Sequence, residues 1–148
     1  MKFVCGLQQP IPNLPPPLEP PVKPGNYATA VNIHNFHNNQ DVPIAKKAVI
    51  ANTEDQPTGP IGQFRKLVLI PDQALEIDCP DIVRLLQNPG FQPPQFIKGF
   101  VEVISPVPLS VTGVYTAQGC EVAAVANICS PTGPVSIEVV PQQAFAGP

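Results

Sequence analysis

The feature that most restricts the fold of this 148-residue chain is a dense run of proline near its start. Eight of the fifteen residues from Pro10 to Pro24 are proline. Proline fixes φ near −65° and removes the backbone N–H donor, so this density excludes a helix or a central strand and favours polyproline II. At about 3.1 Å per residue, fifteen residues would span roughly 46 Å. The sequence therefore predicts that residues 1–25 form an extended N-terminal arm.

The predicted arm carries apolar side chains that suit it to docking. We name six assembly candidates: Phe3, Val4, Leu7, Leu14, Leu18 and Val22. A preorganised arm loses less conformational entropy on docking than a flexible one, so we expect it to lie in a groove of a neighbouring subunit or to pair with an exposed strand edge. The alternatives are a disordered spacer and a P-x-x-P ligand for an SH3-like partner.

Beyond the arm, short segments alternate apolar and polar residues between turns rich in Pro, Gly and Asn, a pattern typical of antiparallel strands. We predict eight strands, at 27–34, 45–51, 64–70, 74–78, 96–105, 109–117, 121–128 and 135–140. There are too few helical segments to supply the crossovers of a parallel sheet. The expected fold is therefore all-β, a single antiparallel β-sandwich over 26–141 that is immunoglobulin-like or jelly-roll-like, followed by a tail at 142–148.

One segment, DCPDIVRLL, has helical signals. Asp78 or Cys79 can cap a helix, Pro80 suits the first helical position, and Asp81 favours the positive end of the helix dipole. Apolar residues follow with helical spacing, at Ile82, Leu85 and Leu86. The sequence predicts one short helix near 80–87.

The composition restricts the partners. Only 13% of the residues are charged, while 43% are hydrophobic. So few charges suggest that some surface meets another chain, although a neutral surface of Gln, Asn, Thr and Pro is the alternative. The basic residues are scattered without a stripe, so nucleic acid is not an expected partner, and no apolar stretch is long enough to span a membrane.

The first residues, MKFVCGLQQPIP, contain too short an apolar run for a signal peptide. We therefore expect a cytoplasmic protein by default. Extracellular assembly, after lysis, non-standard export or removal of a leader, is the alternative.

The four cysteines contain no C-x-x-C pair, which excludes a zinc ribbon or a thioredoxin motif. Cys120 and Cys129 flank one short apolar stretch, and we expect them to form a disulfide if the compartment is oxidising. The alternative is that all four cysteines are reduced, small and buried.

Four residues are weak candidates for metal binding: His34, His37, Glu76 and Asp78. Residues three apart on a strand point to opposite faces, so the two histidines favour a structural role over a metal site. The two carboxylates share a strand face, as in calcium or glycosidase sites, but helix capping and solvent exposure explain them more simply. No nucleophile elbow or glycine-rich phosphate loop is present. We therefore expect no catalysis and no cofactor.

Three segments, YATAVNIHN, ALEIDCPDI and GFVEVISPVPLSVTGVYTA, resemble a family of small bacterial proteins with no established activity. The similarity runs from about Lys2 to Val140. It implies a single sandwich domain and transfers no functional residue. In the family pattern the sixth strand leads directly to the last one, so residues 118–133 look like an elaboration of this chain.

Together these features predict a non-catalytic structural protein that self-associates as a ring, shell or filament subunit. Its partners would be copies of itself, with the arm docked on a neighbour. The alternative is a monomeric recognition module that binds a glycan, peptide or surface ligand through loops at 35–43, 52–63 and 87–95.

Overall fold

The structure, a computed structural model, describes residues 1–9, 24–52, 56–57, 59–86, 92–122, 129–131 and 136–141, with the backbone alone at 120–122, 129–131 and 136–141. The strands are β1 (Lys2–Gln8), β2 (Gly25–His34), β3 (Val42–Ile50), β4 (Arg65–Leu69), β5 (Ala74–Ile77), β6 (Phe96–Ile104), β7 (Ser110–Val122), β8 (Cys129–Pro131) and β9 (Ser136–Pro141). A single helix, α1 (Cys79–Leu86), lies within the described residues.

The nine strands form one curled antiparallel sheet, an open half-barrel. Its order is β4-β3-β6-β1-β2-β7, and β9 pairs with the other side of β7. Strand β5 pairs with the second half of β2, on the same side as β1. Strand β8 pairs with the last residues of β7. The prediction of an antiparallel, mainly β fold with one short helix is confirmed. A sandwich of two stacked sheets is not confirmed, because β1 pairs with both β2 and β6 and joins all the strands into one sheet.

The first part of the predicted arm is instead a strand inside the sheet. β1 pairs with β6 along one side and with β2 along the other. Phe3 and Cys5 are buried in the core, and Val4 and Leu7 are half-buried. Phe3 therefore packs inside its own domain and is not available to dock on a neighbour. The physical reason is that residues 2–8 contain no proline and alternate apolar side chains with period two.

The proline-rich segment is consequently an internal connection and not a free arm. Gln8 at the end of β1 pairs directly with Gly25 at the start of β2, so both ends of residues 9–24 are held on neighbouring strands. Three of the assembly candidates, Leu14, Leu18 and Val22, lie outside the described residues, as does the predicted tail 142–148.

Helix α1 follows the sequence prediction closely. The Asp78 carboxylate accepts a hydrogen bond from the Asp81 N–H at 2.9 Å, which identifies Asp78 as the N-cap. The three residues predicted to form its apolar face, Ile82, Leu85 and Leu86, are all buried. They join the core that the half-barrel encloses, and each contributes roughly 1.5–3 kcal/mol by burial.

Besides β1, the strand predictions need a correction around β7. The segments 109–117 and 121–128 were expected to be separate strands, whereas β7 continues without a break to Val122. Gly113 and Gly119 both stay in register with β2, so neither glycine interrupts the ladder. Residues 123–128 lie outside the described residues.

A disulfide joins Cys5 on β1 to Cys79 at the start of α1, with an Sγ–Sγ distance of 2.02 Å. The two residues are separated by 74 positions in the chain, so no local spacing indicates the pair. The expected bridge between Cys120 and Cys129 involves side chains that are not described. The β7–β8 register places these two residues diagonally, two positions out of alignment, and their bridge stays a prediction.

Candidate functional site

The two histidines proposed as metal candidates lie near the end of β2 but contact different partners. His34 Nε2 lies 2.9 Å from a carboxylate oxygen of Asp72, and His37 Nε2 lies 3.0 Å from the carbonyl oxygen of Pro108. Asp72 occupies the left-handed region, with φ of 59°, in the turn between β4 and β5. The first contact holds the turn between β4 and β5 against β2, and the second joins the segment after β2 to the segment before β7.

The two candidate carboxylates are also separated by the fold. Glu76 is exposed on β5, while the Asp78 carboxylate caps α1. Within the described part of the chain, no group of three or more His, Cys, Asp or Glu side chains is placed to hold a metal ion. The sequence candidates therefore do not converge on a common site in this part of the molecule.

The surface that does stand out is apolar and lies at the β4 end of the half-barrel. The exposed apolar side chains there include Val68 at 52%, Ile70 at 56% and Ile104, on β6, at 55%. We call these three residues the outer strip. Beside it lies an open groove of about 720 Å³, lined in part by Pro43, Ala45, Lys66, Val68, Ile104 and Pro106.

Two prolines explain why the ladder between β3 and β6 ends at this groove. The last pair of the ladder is Ala45 with Ile104, and the same register would place Pro43 opposite Pro106. Neither proline has an N–H to donate, so the two strands cannot continue their pairing. The gap between the two prolines forms part of the groove floor.

Strand β4 ends the sheet, because among the described residues it pairs with β3 alone. In β3 the Ala48 carbonyl accepts a hydrogen bond from Gly62 on the β4 side, whereas the Ala51 N–H donates to Lys98 on the β6 side. The backbone N–H and C=O groups of the even-numbered residues of β3 therefore point toward β4. The register then directs the backbone N–H and C=O groups of Lys66 and Val68 away from β3, toward the open edge.

Positive charge collects at this same end of the molecule. Five of the eight basic residues of the chain lie on β3, β4 or α1: Lys46, Lys47, Arg65, Lys66 and Arg84. Lys47 forms an ion pair with Glu102 at 3.1 Å and lies over the Phe64 ring. These residues are scattered in the sequence, so only the pairing of β3 with β4 and the packing of α1 bring them together.

The charges around α1 influence one another. Burial lowers the pKa of Lys46; the charge of Asp81 opposes this shift, and those of Arg65 and Arg84 add to it. Arg65 also donates a 2.8 Å hydrogen bond to the carbonyl oxygen of Arg84, near the end of the helix. The packing of β3, β4 and α1 therefore brings five cations together, and two of them form ion pairs, Lys47 with Glu102 and Arg84 with Asp81.

The opposite end of the sheet has the reverse composition. From Ser110 onward the chain contains no lysine or arginine, and its two charged residues are Glu121 on β7 and Glu138 on β9. The half-barrel therefore has a basic end strand, β4, and an acidic end strand, β9. Sequence reasoning missed this polarity, because it depends on which strands occupy the two ends.

Comparison of this chain with protein-family models, curated proteins and solved structures finds no match. The resemblance to small bacterial proteins therefore stays a prediction. In the described part of the chain, no helix has the length and apolar character needed to cross a membrane.

Proposed function

We propose that this protein is a non-catalytic structural protein that self-associates as a ring, shell or filament subunit. The observation that supports this most directly is the outer strip beside the open edge of β4. Natural β proteins usually protect such edges with prolines, inward charges or covering loops, because an unpaired edge attracts another strand. Exposed Val68 and Ile70 at this edge, with exposed Ile104 two strands inward on β6, favour contact with a further chain.

The Cys5–Cys79 disulfide supports assembly outside a reducing compartment. Disulfides persist in secreted, periplasmic and surface proteins and are rare in the cytosol. The bridge ties the first strand to α1, and both are part of the packed core. We therefore place the assembly in an oxidising compartment, in preference to the cytoplasmic location expected from the sequence. We also propose that the proline-rich segment docks on a neighbouring subunit of the assembly.

Sedimentation velocity on the purified chain, combined with negative-stain electron microscopy, tests self-association. We expect species much larger than the 15.8 kDa monomer at micromolar concentration. The double substitution Val68→Lys and Ile104→Lys should shift the distribution to monomer, because it places two charges on the outer strip. A monomeric wild-type chain up to the highest soluble concentration would refute the proposal.

The matched control is Phe100→Lys. Phe100 is 42% exposed and lies four residues before Ile104 on β6, about 13 Å along the strand from the outer strip. This substitution makes a comparable change in hydrophobicity away from the β4 edge. It should leave the mass distribution as in the wild type.

The groove gives one reason to keep the second candidate function, a monomeric recognition module. A volume of about 720 Å³ lies within the usual range of ligand pockets, about 300–1,000 Å³. Its lining is mainly apolar, so an extended apolar peptide fits it better than a glycan does. A monomer whose midpoint of thermal unfolding rises with such a peptide would support this function in place of assembly.

A further inference from the structure

We infer that copies of this chain associate head to tail, with the β4 edge of one copy pairing antiparallel with the β9 edge of the next. This inference rests on the proposed self-association and names the two surfaces that meet. The half-barrel is open, so β4 and β9 occupy its two ends. Among the described residues β9 pairs only with β7, as β4 pairs only with β3.

The backbone positions that face outward on β9 follow from the ladder. The Asn35 N–H, directly after β2, donates to the Gln73 carbonyl on the β5 side, so the backbone polar groups of odd-numbered residues of β2 point toward β5. Those of even-numbered residues therefore point toward β7. Even-numbered residues of β2 pair with even-numbered residues of β7, so the N–H and C=O groups of those β7 residues point toward β2. The N–H and C=O groups of the odd-numbered residues of β7 therefore point toward β9. Their partners on β9 are even-numbered, as in Tyr115 with Glu138. The N–H and C=O groups of Ile137 and Val139 therefore point away from β7.

The two open edges match in length. β4 offers the N–H and C=O groups of Lys66 and Val68, and β9 offers those of Ile137 and Val139. Antiparallel pairing of Val68 with Ile137 and of Lys66 with Val139 would use all four N–H groups in interchain hydrogen bonds. The next outward position on each strand cannot donate to a partner chain. The Ile70 N–H already donates to the Gln73 side chain at 3.0 Å, and Pro141 has no N–H.

Charge selects this mixed pairing over the two symmetric ones. β4 carries Arg65 and Lys66 and no carboxylate, whereas β9 carries Glu138 and no basic residue. Two β4 strands side by side would place four cations along one seam, and like charges on facing strands are destabilising. Two β9 strands would bring their Glu138 residues together. In the mixed register Glu138 of one copy takes the position opposite Leu67 of the next, two positions along the ladder from Arg65.

A head-to-tail contact has a definite consequence for the assembly. The two surfaces are different, so each copy that binds leaves a free β4 edge at one end and a free β9 edge at the other. Such an interface produces a ring if the rotation closes and a filament if it does not. The outer strip would contribute apolar contact, because Val68 lies beside Ile137 across the new ladder.

The test blocks one edge at a time. Val68→Pro and Val139→Pro each remove an outward N–H without removing a hydrogen bond inside the chain, which edge strands tolerate. Each variant should sediment as a monomer. An equimolar mixture should give only the dimer, since each variant retains one intact edge. The controls Val68→Thr and Val139→Thr keep the N–H and should assemble like the wild type.

The outcomes separate this inference from the proposed function. A monomeric wild type would overturn both. A wild type that assembles together with proline variants that also assemble would overturn only the edge pairing. If Val139→Pro alone dimerises, the interface is β4 with β4, and the head-to-tail contact is wrong.

A second pair of variants covers the case in which a proline variant fails to fold, as judged by circular dichroism. Arg65→Glu should weaken assembly at least tenfold, and Glu138→Arg in the same chain should restore it. Failure of the combined variant to recover, when it folds normally, would contradict the charge pairing on which the mixed register depends.

Discussion

The Thr29 hydroxyl lies between the two backbone polar groups of Val4. It donates a 2.9 Å hydrogen bond to the Val4 carbonyl and accepts one of 3.0 Å from the Val4 N–H. Thr29 is 2% exposed and occupies the point where β2 changes partner, from β1 before it to β5 after it. One side chain therefore replaces the strand ladder at the place where β1 separates from β2.

Replacing Thr29 by valine keeps the shape of the side chain but removes both hydrogen bonds. The buried N–H and C=O groups of Val4 would lose their partner, and we expect the free energy of unfolding to fall by about 2–4 kcal/mol. Urea denaturation followed by circular dichroism measures this. Thr29→Ser keeps the hydroxyl and should cost only about 1 kcal/mol. Equal losses for the two variants would contradict the role of the hydroxyl.

Reduction of the Cys5–Cys79 bridge should destabilise the protein strongly. A crosslink between residues 74 positions apart restricts the unfolded chain by about 4 kcal/mol in the chain-entropy estimate. The midpoint of thermal unfolding, measured with and without a phosphine reductant, should fall in the wild type. A Cys5→Ala, Cys79→Ala chain should start lower and lose this part of the response. A residual response in that chain would be the signature of a second bridge, between Cys120 and Cys129.

Asn35 fastens the loop after β2 to the turn between β4 and β5. Its amide Nδ2 donates to the carbonyls of Gln40 at 2.9 Å and Leu69 at 3.0 Å, and its Oδ1 accepts from the His37 N–H at 3.2 Å. Asn35→Asp would aim a buried carboxylate at carbonyl oxygens, so we expect a loss of about 3 kcal/mol or more at neutral pH.

This Asn35 prediction has a pH signature. Burial would raise the folded-state pKa of the introduced carboxyl, so part of the lost stability should return as the pH falls and the group becomes a donor. Chemical denaturation at pH 7 and pH 4.5, compared with the wild type, measures the difference. A destabilisation that is the same at both pH values would show that charge is not its cause.

Asp81 should make a small contribution to stability that depends on pH. Partial burial would raise its pKa, but the hydrogen bond from Arg84, the backbone of Asp78 and the charges of Arg84 and Lys46 together hold the pKa below its usual value. A lowered folded-state pKa gives stability that is present above the unfolded pKa, near 4, and is lost as the pH falls through the folded value. We expect at most about 1 kcal/mol, because Arg84 is mostly exposed and solvent screens its ion pair with Asp81.

The Asp81→Asn variant isolates this contribution. Its free energy of unfolding should fall below that of the wild type at pH 6, and the two should converge below pH 3. The measurement is a pair of denaturation curves at each pH. A gap of constant size across this range would attribute the loss to the helix cap and not to the charge.

The strand and helix segments were largely predictable, because they depend on local pattern. The alternation in 27–34 and the spacing of Ile82, Leu85 and Leu86 correspond to β2 and the buried face of α1. The prolines hid β1, since residues 2–8 were grouped with the proline-rich segment that follows them. No local pattern indicates the contact of Thr29 with Val4 on β1 or that of Asn35 with Leu69 on β4.

The sequence alone determined that this chain forms antiparallel strands and one capped helix, because each of these depends on residues close together in the chain. Only the tertiary structure decided that β1 is a central strand, that Cys5 meets Cys79, and that a basic strand and an acidic strand occupy opposite ends of the half-barrel. These features depend on which distant segments pair, and strand pairing is set by the packing of the whole core.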